Sequence, residues 1–255
     1  MGLRSITPKR LRRAVASQLS RLSILAINRL QAVHSQECHA CGRHTSSFYV
    51  FGGRPFGCPY CRSSSRERFV LATIEQGRLP FPPTAADILH IAPSERGVVR
   101  RLSAGANYIL GDLIPGRYDG KEVWQVDMTK LNPGQFGLPG FDLIYASHVL
   151  EHIPDDGAAL RAAFASLKPG GAAWFLVPLG DGPTEEATPD MSMFERERRF
   201  GQWDHVRLYG MDIIERLKSA GFLVETISSC DFGTEAVFRL GLDPADRIFV
   251  CRKSC

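Results

Sequence analysis

No stretch of this 255-residue chain approaches the roughly 20 consecutive apolar residues that a membrane-spanning helix needs. Near the N-terminus the only apolar segment, Leu22 to Ile27, is short and broken by Ser23, and no small-residue cleavage site follows it. A secretory signal is therefore not expected. Cysteine is sparse: seven residues, unevenly placed, do not make a disulfide framework, and a reducing, cytoplasmic location is the expectation. What remains is an ordinary soluble composition, 44% hydrophobic and 23% charged, with room for one large domain or a domain and a small appendage.

Acidic residues are missing from residues 1–36, which hold seven Lys or Arg; taking those seven from the net +4 leaves −3 for residues 37–255. The positive charge is thus confined to one arm. From Pro8 the arm reads as a helix, with Leu11, Val15, Leu19, Leu22, Leu25, Ile27 and Leu30 spaced as an apolar stripe. Two readings stand. The helix docks on the domain and leaves a basic face in water, or it is an arm for peripheral contact with a membrane surface or a nucleic acid.

The few cysteines are concentrated where they matter. Cys38-x-x-Cys41 and Cys58-x-x-Cys61 are two pairs with 16 residues between them. Two such knuckles bring four thiolates to one ion, the arrangement of a structural zinc ribbon. Between them Phe48 to Phe51 reads as a strand of a small hairpin, and Gly52-Gly53 turns it. A segment this small has little core, so Zn2+ would supply much of its folding energy. Residues 37–83 are expected to hold the ribbon and a connecting helix to about Gln76; Gly77, Pro80, Pro82 and Pro83 then mark a boundary.

Residues 84–255 alternate strand and helix. Strands are expected at Ile88–Ile91, at Tyr108–Leu110 before Asp112, at Val123–Val126 before Asp127, at Phe141–Ala146, and at Ala172–Leu179. Helices are expected at Gly97–Ala104, after Asp155, and at Met211–Ala220. Two last strands, Phe222–Ile227 and Arg247–Cys251, have no helix of ordinary length between them. Such alternation predicts an α/β fold with a parallel sheet and helices on both faces. The central strand, Phe141 to Ala146, is broken only by Asp142, and Ser147, His148, Glu151, His152 and Asp155 crowd its end. In open sheets of this kind ligands bind at that edge.

The segment FDLIYASHVLEHIPDD followed by LKPGG resembles the fourth- to fifth-strand region of class I S-adenosylmethionine-dependent methyltransferases. With the paired cysteine knuckles, Arg66, Arg68, LHIAP, FGQWDHVRLYG and the closing GLDPADRIFVC, nearly everything from residue 38 onward is similar to a narrower bacterial group. Its members are methyltransferase type 11-like domains that carry an N-terminal four-cysteine ribbon. The resemblance implies a Rossmann-like, seven-stranded sheet with an antiparallel last strand. It also implies S-adenosylmethionine as cofactor, with Asp112 on the ribose, and Asp127 and Met128 at the adenine; each Asp could equally cap the turn after its strand. Ser147 and His148 would lie on the same edge.

Glycine is scarce where the family commonly has a Gly-rich loop: of His90 to Gly97, only the last residue is one. Ala92 and Pro93 stand there instead, and Pro93 offers no N–H, which disfavours a dinucleotide pyrophosphate. S-adenosylmethionine has no phosphate, so Ala92, Pro93, Ser94 and Glu95 can still face its amino-acid end.

Methyl transfer to an oxygen or nitrogen benefits from a general base. The order of candidates is His205, which the resemblance places on a loop over the methyl group, then His152, then His148; each could instead only hold its loop. Glu151 is a candidate partner for Arg207 or any nearby base. Residues 180–202 read as a lid that selects the acceptor, or as a surface loop laced by salt bridges among Glu195 to Arg199. The expected activity is methylation of a small metabolite or saccharide. The alternatives are a zinc-ribbon RNA methyltransferase, and a non-catalytic binding module on a methyltransferase-like scaffold. Nucleic acid is disfavoured because residues 37–255 are net negative and carry no basic stripe interleaved with aromatics.

Overall fold

Helix α1 (Pro8–Leu30) lies against the ribbon segment by its polar side. The computed structural model describes residues 8–30, 35–51, 54–118, 120 and 122–254, and divides into two units. The first unit takes the chain up to Arg78 together with Glu95–Val98 and Ser229–Pro244. Within it, Asn28 of α1 donates from Nδ2 to Thr45 Oγ1 at 2.8 Å and to the Tyr60 hydroxyl at 3.0 Å, and accepts from Ser46 N–H at 2.8 Å. Arg21 Nε donates to the Pro59 carbonyl at 2.7 Å, and Ser20 Oγ accepts from Val50 N–H. Ile24 is buried, whereas Leu11, Val15, Leu19, Leu22, Ile27 and Leu30 are exposed. The apolar stripe of the helix therefore points to solvent, not to the ribbon.

The ribbon is made of two short antiparallel pairs, β1 (Gln36–Cys38) with β2 (Arg43–Thr45), and β3 (Tyr49–Phe51) with β4 (Arg54–Gly57). The expected turn at Gly52-Gly53 lies outside the described residues. Helix α2 (Ser65–Glu75) follows, and Ser64 caps it by accepting from Glu67 N–H at 3.2 Å. Arg68 of α2 is wholly buried, with its guanidinium 3.7 Å from the Phe48 ring centroid. It donates to the carbonyls of Ser63, Phe56, Leu240 and Gly241, so one cation gathers three separate segments of this unit. A buried charge is tolerable here because four carbonyl dipoles and a ring face replace its water.

The second unit holds Leu79–Ser94, Val99–Ser228 and the chain from Ala245. Its strands are β5 (Asp87–Ile91), then, after α3 (Arg96–Leu102), β6 (Asn107–Asp112), β7 (Trp124–Gln125) and β8 (Phe141–Ser147). Helix α4 (Asp156–Ser166) leads to β9 (Leu167–Leu176); then come β10 (Glu185–Glu186), α5 (Met193–Phe200), β11 (Arg207–Leu208) and α6 (Ile213–Ser219). The chain closes with β12 (Leu223–Ser228), α7 (Thr234–Leu240) and β13 (Arg247–Arg252); α7 falls in the first unit. Seven strands form one sheet in the order β12-β13-β9-β8-β5-β6-β7, parallel except for β13, which runs antiparallel to both neighbours. The order reverses between β5 and β8, which makes that point the natural ligand crevice.

Burial of both faces of the central strands explains their unbroken apolar runs. On one face Leu89, Ile91, Ile144, Ala146, Ala173 and Phe175 share a core with Ala159, Leu160 and Ala163 of α4 and Ile213 and Leu217 of α6. The alternate residues His90, Tyr145 and Trp174 stack edge to face on the other. At the opposite end of the strands Lys168 Nζ lies 2.7 Å from both Asp87 and Asp142, which accounts for the single charge in the β8 run. Strand β9 starts earlier than the sequence predicts. Pairing steps from Phe141↔Leu167 to Leu143↔Ala172, so Lys168–Gly171 form a bulge within the strand, not a turn before it. A side chain at Gly171 would meet the Phe141 carbonyl at 2.9 Å, so only glycine fits this approach.

Candidate active site

The register sets the edge of the site. Ile91 pairs with Gly111 on one side and Ala146 on the other, so the next residues, Ala92, Asp112 and Ser147, come side by side at the ends of β5, β6 and β8. Ala92 has φ +53°, the left-handed conformation a glycine would take at little cost; its N–H donates to the Gly111 carbonyl at 2.8 Å, and Ser94 N–H closes back on Ala92 O at 2.7 Å. The loop thus keeps the backbone path of a Gly-rich turn without its glycine. Pro93 removes one donor from that path, which leaves it poorly suited to a pyrophosphate.

Asp112 is 5% exposed, and its carboxylate accepts from Ile114 N–H at 2.7 Å and the Tyr118 hydroxyl at 2.8 Å. Burial and the adjacent Asp112 carboxylate push the Tyr118 phenol well above its usual range, so it stays a donor. A carboxylate offers about four acceptor sites, so two remain open. Asp127 accepts from Thr129 N–H at 2.9 Å and Thr129 Oγ1 at 2.7 Å, bonds that hold its carboxyl below the usual range; Met128 beside it is buried. Glu95 belongs to the first unit, where it is buried and accepts from Arg66 Nε at 2.9 Å.

Residues 70–227 match the family described as the methyltransferase domain. The chain belongs to this family. It is a class I, S-adenosylmethionine-dependent methyltransferase, with the strand order given above. No curated protein matches the chain. Among solved structures it is similar to an S-adenosylmethionine-dependent methyltransferase from Mesorhizobium loti, at 16% identity over 70% of this chain and 95% of that one, with a TM-score of 0.47. It is also similar to the N-methyltransferase NodS from Bradyrhizobium japonicum, at 15% identity over 74% and 95%, TM-score 0.46. A third is a SAM-dependent methyltransferase from Archaeoglobus fulgidus, at 15% identity over 73% and 94%, TM-score 0.48.

After β8 the methyltransferase gathers its three candidate histidines around one carboxylate. His148 takes φ +56°, a strained position for a non-glycine residue, and its Nδ1 lies 3.3 Å from Glu151 Oε1. His205 Nε2 lies 3.9 Å from the same oxygen, and the rings of His152 and His205 meet edge to face at 4.7 Å. His205 Nδ1 is 2.8 Å from the Phe200 carbonyl; since a carbonyl only accepts, Nδ1 carries the proton. Burial, only partly offset by Glu151, holds the His205 imidazole below its usual pKa. Burial alone would raise the Glu151 carboxyl, but His148 first and then His152 and His205 bring it below the usual range. Glu151 has no exposure, and neither of its oxygens has a hydrogen-bond partner among the described residues.

Of the two partners expected for Glu151, the structure gives the nearby bases His148 and His205 and not Arg207. The Arg207 guanidinium donates to the carbonyls of Leu150 at 3.0 Å, Ile153 at 2.5 Å and Pro154 at 2.8 Å, and pairs with Glu186 at 2.9 Å. Val206 N–H also donates to the Glu151 carbonyl at 2.8 Å. Strand β11, paired to β10, thereby pins the whole 150–154 turn and fixes where Glu151 and His152 stand. Tyr209 continues this frame by donating to Asp156 at 2.7 Å, which Arg216 also engages at 3.0 Å. Sequence reasoning missed this frame; the HVRLYG segment, with its alternating polar and apolar residues, was the one available sign. Within residues 180–202, Arg199 pairs with Glu185 and lies 4.0 Å from Glu195, and Met193 and Phe194 at the start of α5 are exposed.

In the first unit the four cysteine sulfurs lie within 4.8 Å of one another, with Cys38–Cys61 at 3.7 Å and Cys41–Cys58 at 3.9 Å. Sulfurs about 2.3 Å from a tetrahedral ion stand about 3.8 Å apart. These distances are also far beyond a disulfide bond. Gly42 and Arg62, at φ +69° and +66°, end the two knuckles in left-handed turns, with N–H groups returning to the Cys38 and Cys58 carbonyls. Burial, with smaller contributions from Cys38 and Cys61, pushes the Cys41 thiol up to about 11.

Proposed function

We propose that this methyltransferase moves the methyl group of S-adenosylmethionine to an oxygen or nitrogen of a small metabolite or saccharide, with His205 as the acceptor's general base. The observation that carries this reading is the fixed tautomer of His205. Its Nδ1–H is held by the Phe200 carbonyl, so a neutral ring presents Nε2 as a proton acceptor. Asp112 would take the ribose hydroxyls, Asp127 and Met128 the adenine edge, and Ala92, Pro93, Ser94, Ser147 and His148 would line the amino-acid end. Glu95 is left out of this set because Arg66 engages it. When bound, the cofactor supplies an electrophilic methyl at a sulfonium whose charge is lost on transfer. The chain's part is to place the acceptor in line, exclude water, and receive a proton. His152 and His148 orient the acceptor and Glu151.

The test is methyl transfer from labelled cofactor to a panel of hydroxyl- and amine-bearing saccharides and metabolites, with RNA as a parallel acceptor. Turnover on a small acceptor, reduced about a hundredfold or more in His205→Ala with cofactor affinity kept, is the expected result. Transfer to RNA alone, lost on deleting residues 1–36, would overturn the small-acceptor reading.

A structural Zn2+ held by Cys38, Cys41, Cys58 and Cys61 is part of the same proposal, supported by the tetrahedral spacing of the sulfurs. For the arm, we propose that α1 lies on an anionic lipid surface. Its polar side is used in docking, its Leu11, Val15, Leu19 and Leu22 stripe is exposed, and residues 1–36 carry seven cations and no acid. Flotation of the full chain with anionic vesicles but not with neutral ones, lost in Leu19→Glu, is expected. Failure to float with anionic vesicles, or equal flotation with both, would contradict it.

A further inference from the structure

We propose that Glu151, His152 and His205 form a binding site for one first-row divalent cation of the Mn2+, Fe2+, Co2+ or Zn2+ type, separate from the four-cysteine cluster. Each of the three offers a ligand atom, and these atoms all lie within 4.8 Å of one another. Two ligand atoms each about 2.1 Å from a common ion can stand up to about 4.2 Å apart. The 3.9 Å between Glu151 Oε1 and His205 Nε2 falls inside that span.

The arrangement of protons points the same way. Because Phe200 O takes the Nδ1–H of His205, the Nε2 of the neutral ring turns a lone pair toward a carboxylate oxygen. With the ring neutral, two acceptors face each other across this gap, and a cation between them would remove their repulsion. Glu151 sharpens the argument: it has no solvent exposure and neither oxygen finds a hydrogen bond among the described residues. Buried carboxylates are nearly always paired, hydrogen-bonded or bound to metal. His148, 3.3 Å away at Nδ1, sits close to Oε1 without forming a well-aligned hydrogen bond.

An outer layer is also present. His205 donates its far N–H to a carbonyl, and Asp204 Oδ2 stands 3.7 Å from His152 Nδ1; such partners orient metal-bound imidazoles. Arg207 holds the turn that carries Glu151 and His152 by three carbonyls. Two imidazoles and one carboxylate select a transition ion over Mg2+ or Ca2+, which prefer oxygen, and leave positions open for an exogenous ligand.

The consequence for catalysis rests on the methyltransferase reading above. With the cation bound, the Nε2 of His205 would serve as a ligand, and the base role proposed above for metal-free protein would pass to His148, 3.3 Å from Glu151. The cation would make an acceptor hydroxyl more acidic; His148 would take the proton as the O–CH3 bond forms and the S–CH3 bond breaks. The acceptor class is then an alcohol or phenol in preference to an amine.

The test is titration with Mn2+ of the full chain carrying one Zn2+ per chain, which the four thiolates take before a His/carboxylate site, read by the electron paramagnetic resonance of the free ion. Mn2+ does not displace Zn2+ from four thiolates, so the cysteine site stays silent. The expected result is a single Mn2+ per chain, with affinity at least tenfold weaker in Glu151→Gln and in His152→Ala. The His152 side chain is 30% exposed, so its variant keeps the test valid if Glu151→Gln does not fold. No Mn2+ bound at millimolar concentration by the folded native chain, or binding unchanged in both variants, would overturn the site. S-adenosylhomocysteine titrated into the same sample separates the two claims. Metal binding without nucleoside binding sinks the methyltransferase reading alone; the reverse sinks the metal site alone.

Discussion

His205 Nε2 stands 3.9 Å from Glu151 Oε1, deep in the second unit, while its Nδ1–H is held by the Phe200 carbonyl. The ring is therefore oriented from one side and left open on the other. Burial depresses its pKa, and the Glu151 charge partly offsets this. In metal-free protein, nitrogen NMR of the imidazole should show the Nδ1–H tautomer with a titration midpoint below 6.5. Glu151→Gln removes a negative neighbour and should lower that midpoint further. A midpoint above 6.5, or the Nε2–H tautomer, would contradict the assignment.

The cysteine cluster predicts a folding dependence confined to one unit. Stripping zinc with a strong chelator should melt the first unit, because structural zinc contributes on the order of 10 kcal/mol or more to small sites of this kind. Cys58→Ser should lower bound zinc below one ion per chain and give the same loss. Unchanged stability after complete zinc removal would refute the structural role.

Arg207 is 3% exposed and tied to three carbonyls and Glu186. Removing it leaves buried acceptors unpaired, and Arg207→Ala should cost roughly 3–5 kcal/mol in denaturant unfolding. Arg207→Lys should recover little of this, since an ammonium cannot reproduce the planar fork. An alanine variant as stable as the native chain would show that the 150–154 turn holds itself.

Glu67 is buried and accepts from Gly97 N–H at 2.5 Å; burial, the largest cause, raises its carboxyl from 4.5 to about 7. A raised carboxyl pKa means the folded state holds the proton longer than the unfolded one. Stability from this group is then present below about pH 4.5 and lost as pH rises to about 7, on the order of 3 kcal/mol in all. Zinc loading has its own pH dependence, so the comparison is native chain against Glu67→Gln at each pH. The variant should gain on the native chain between pH 5 and 8; a constant difference would count against it.

How much of this was legible beforehand differs between fold and site. The strands were legible because both faces of β5, β8 and β9 are buried, and such strands read as unbroken apolar runs. The bulge at Lys168–Gly171 was not, since Pro and Gly locally mimic a turn and only pairing to Phe141 and Leu143 shows the strand continuing. Helix α1 had the right length, but the choice between its two readings was not legible: periodicity shows that a stripe exists, not which side meets the protein. The histidines could be listed from SHVLEH and DHVRLYG, but residues 148–152 and 205 are brought to one carboxylate by the β10–β11 pairing and Arg207, which no local pattern encodes. Glu151 was expected beside Arg207 or another base; the bases it meets are His148 and His205, and Arg207 holds its backbone turn instead.

The central claim is a nucleoside pocket where β5, β6 and β8 end. Calorimetric titration of the zinc-loaded chain with S-adenosylhomocysteine tests it most directly, with Asp112→Ala as the paired variant. The account predicts saturable binding at one site per chain, weakened at least tenfold when the Asp112 carboxylate is removed. No heat of binding from the folded native chain, or equal binding by the variant, would contradict the pocket as described.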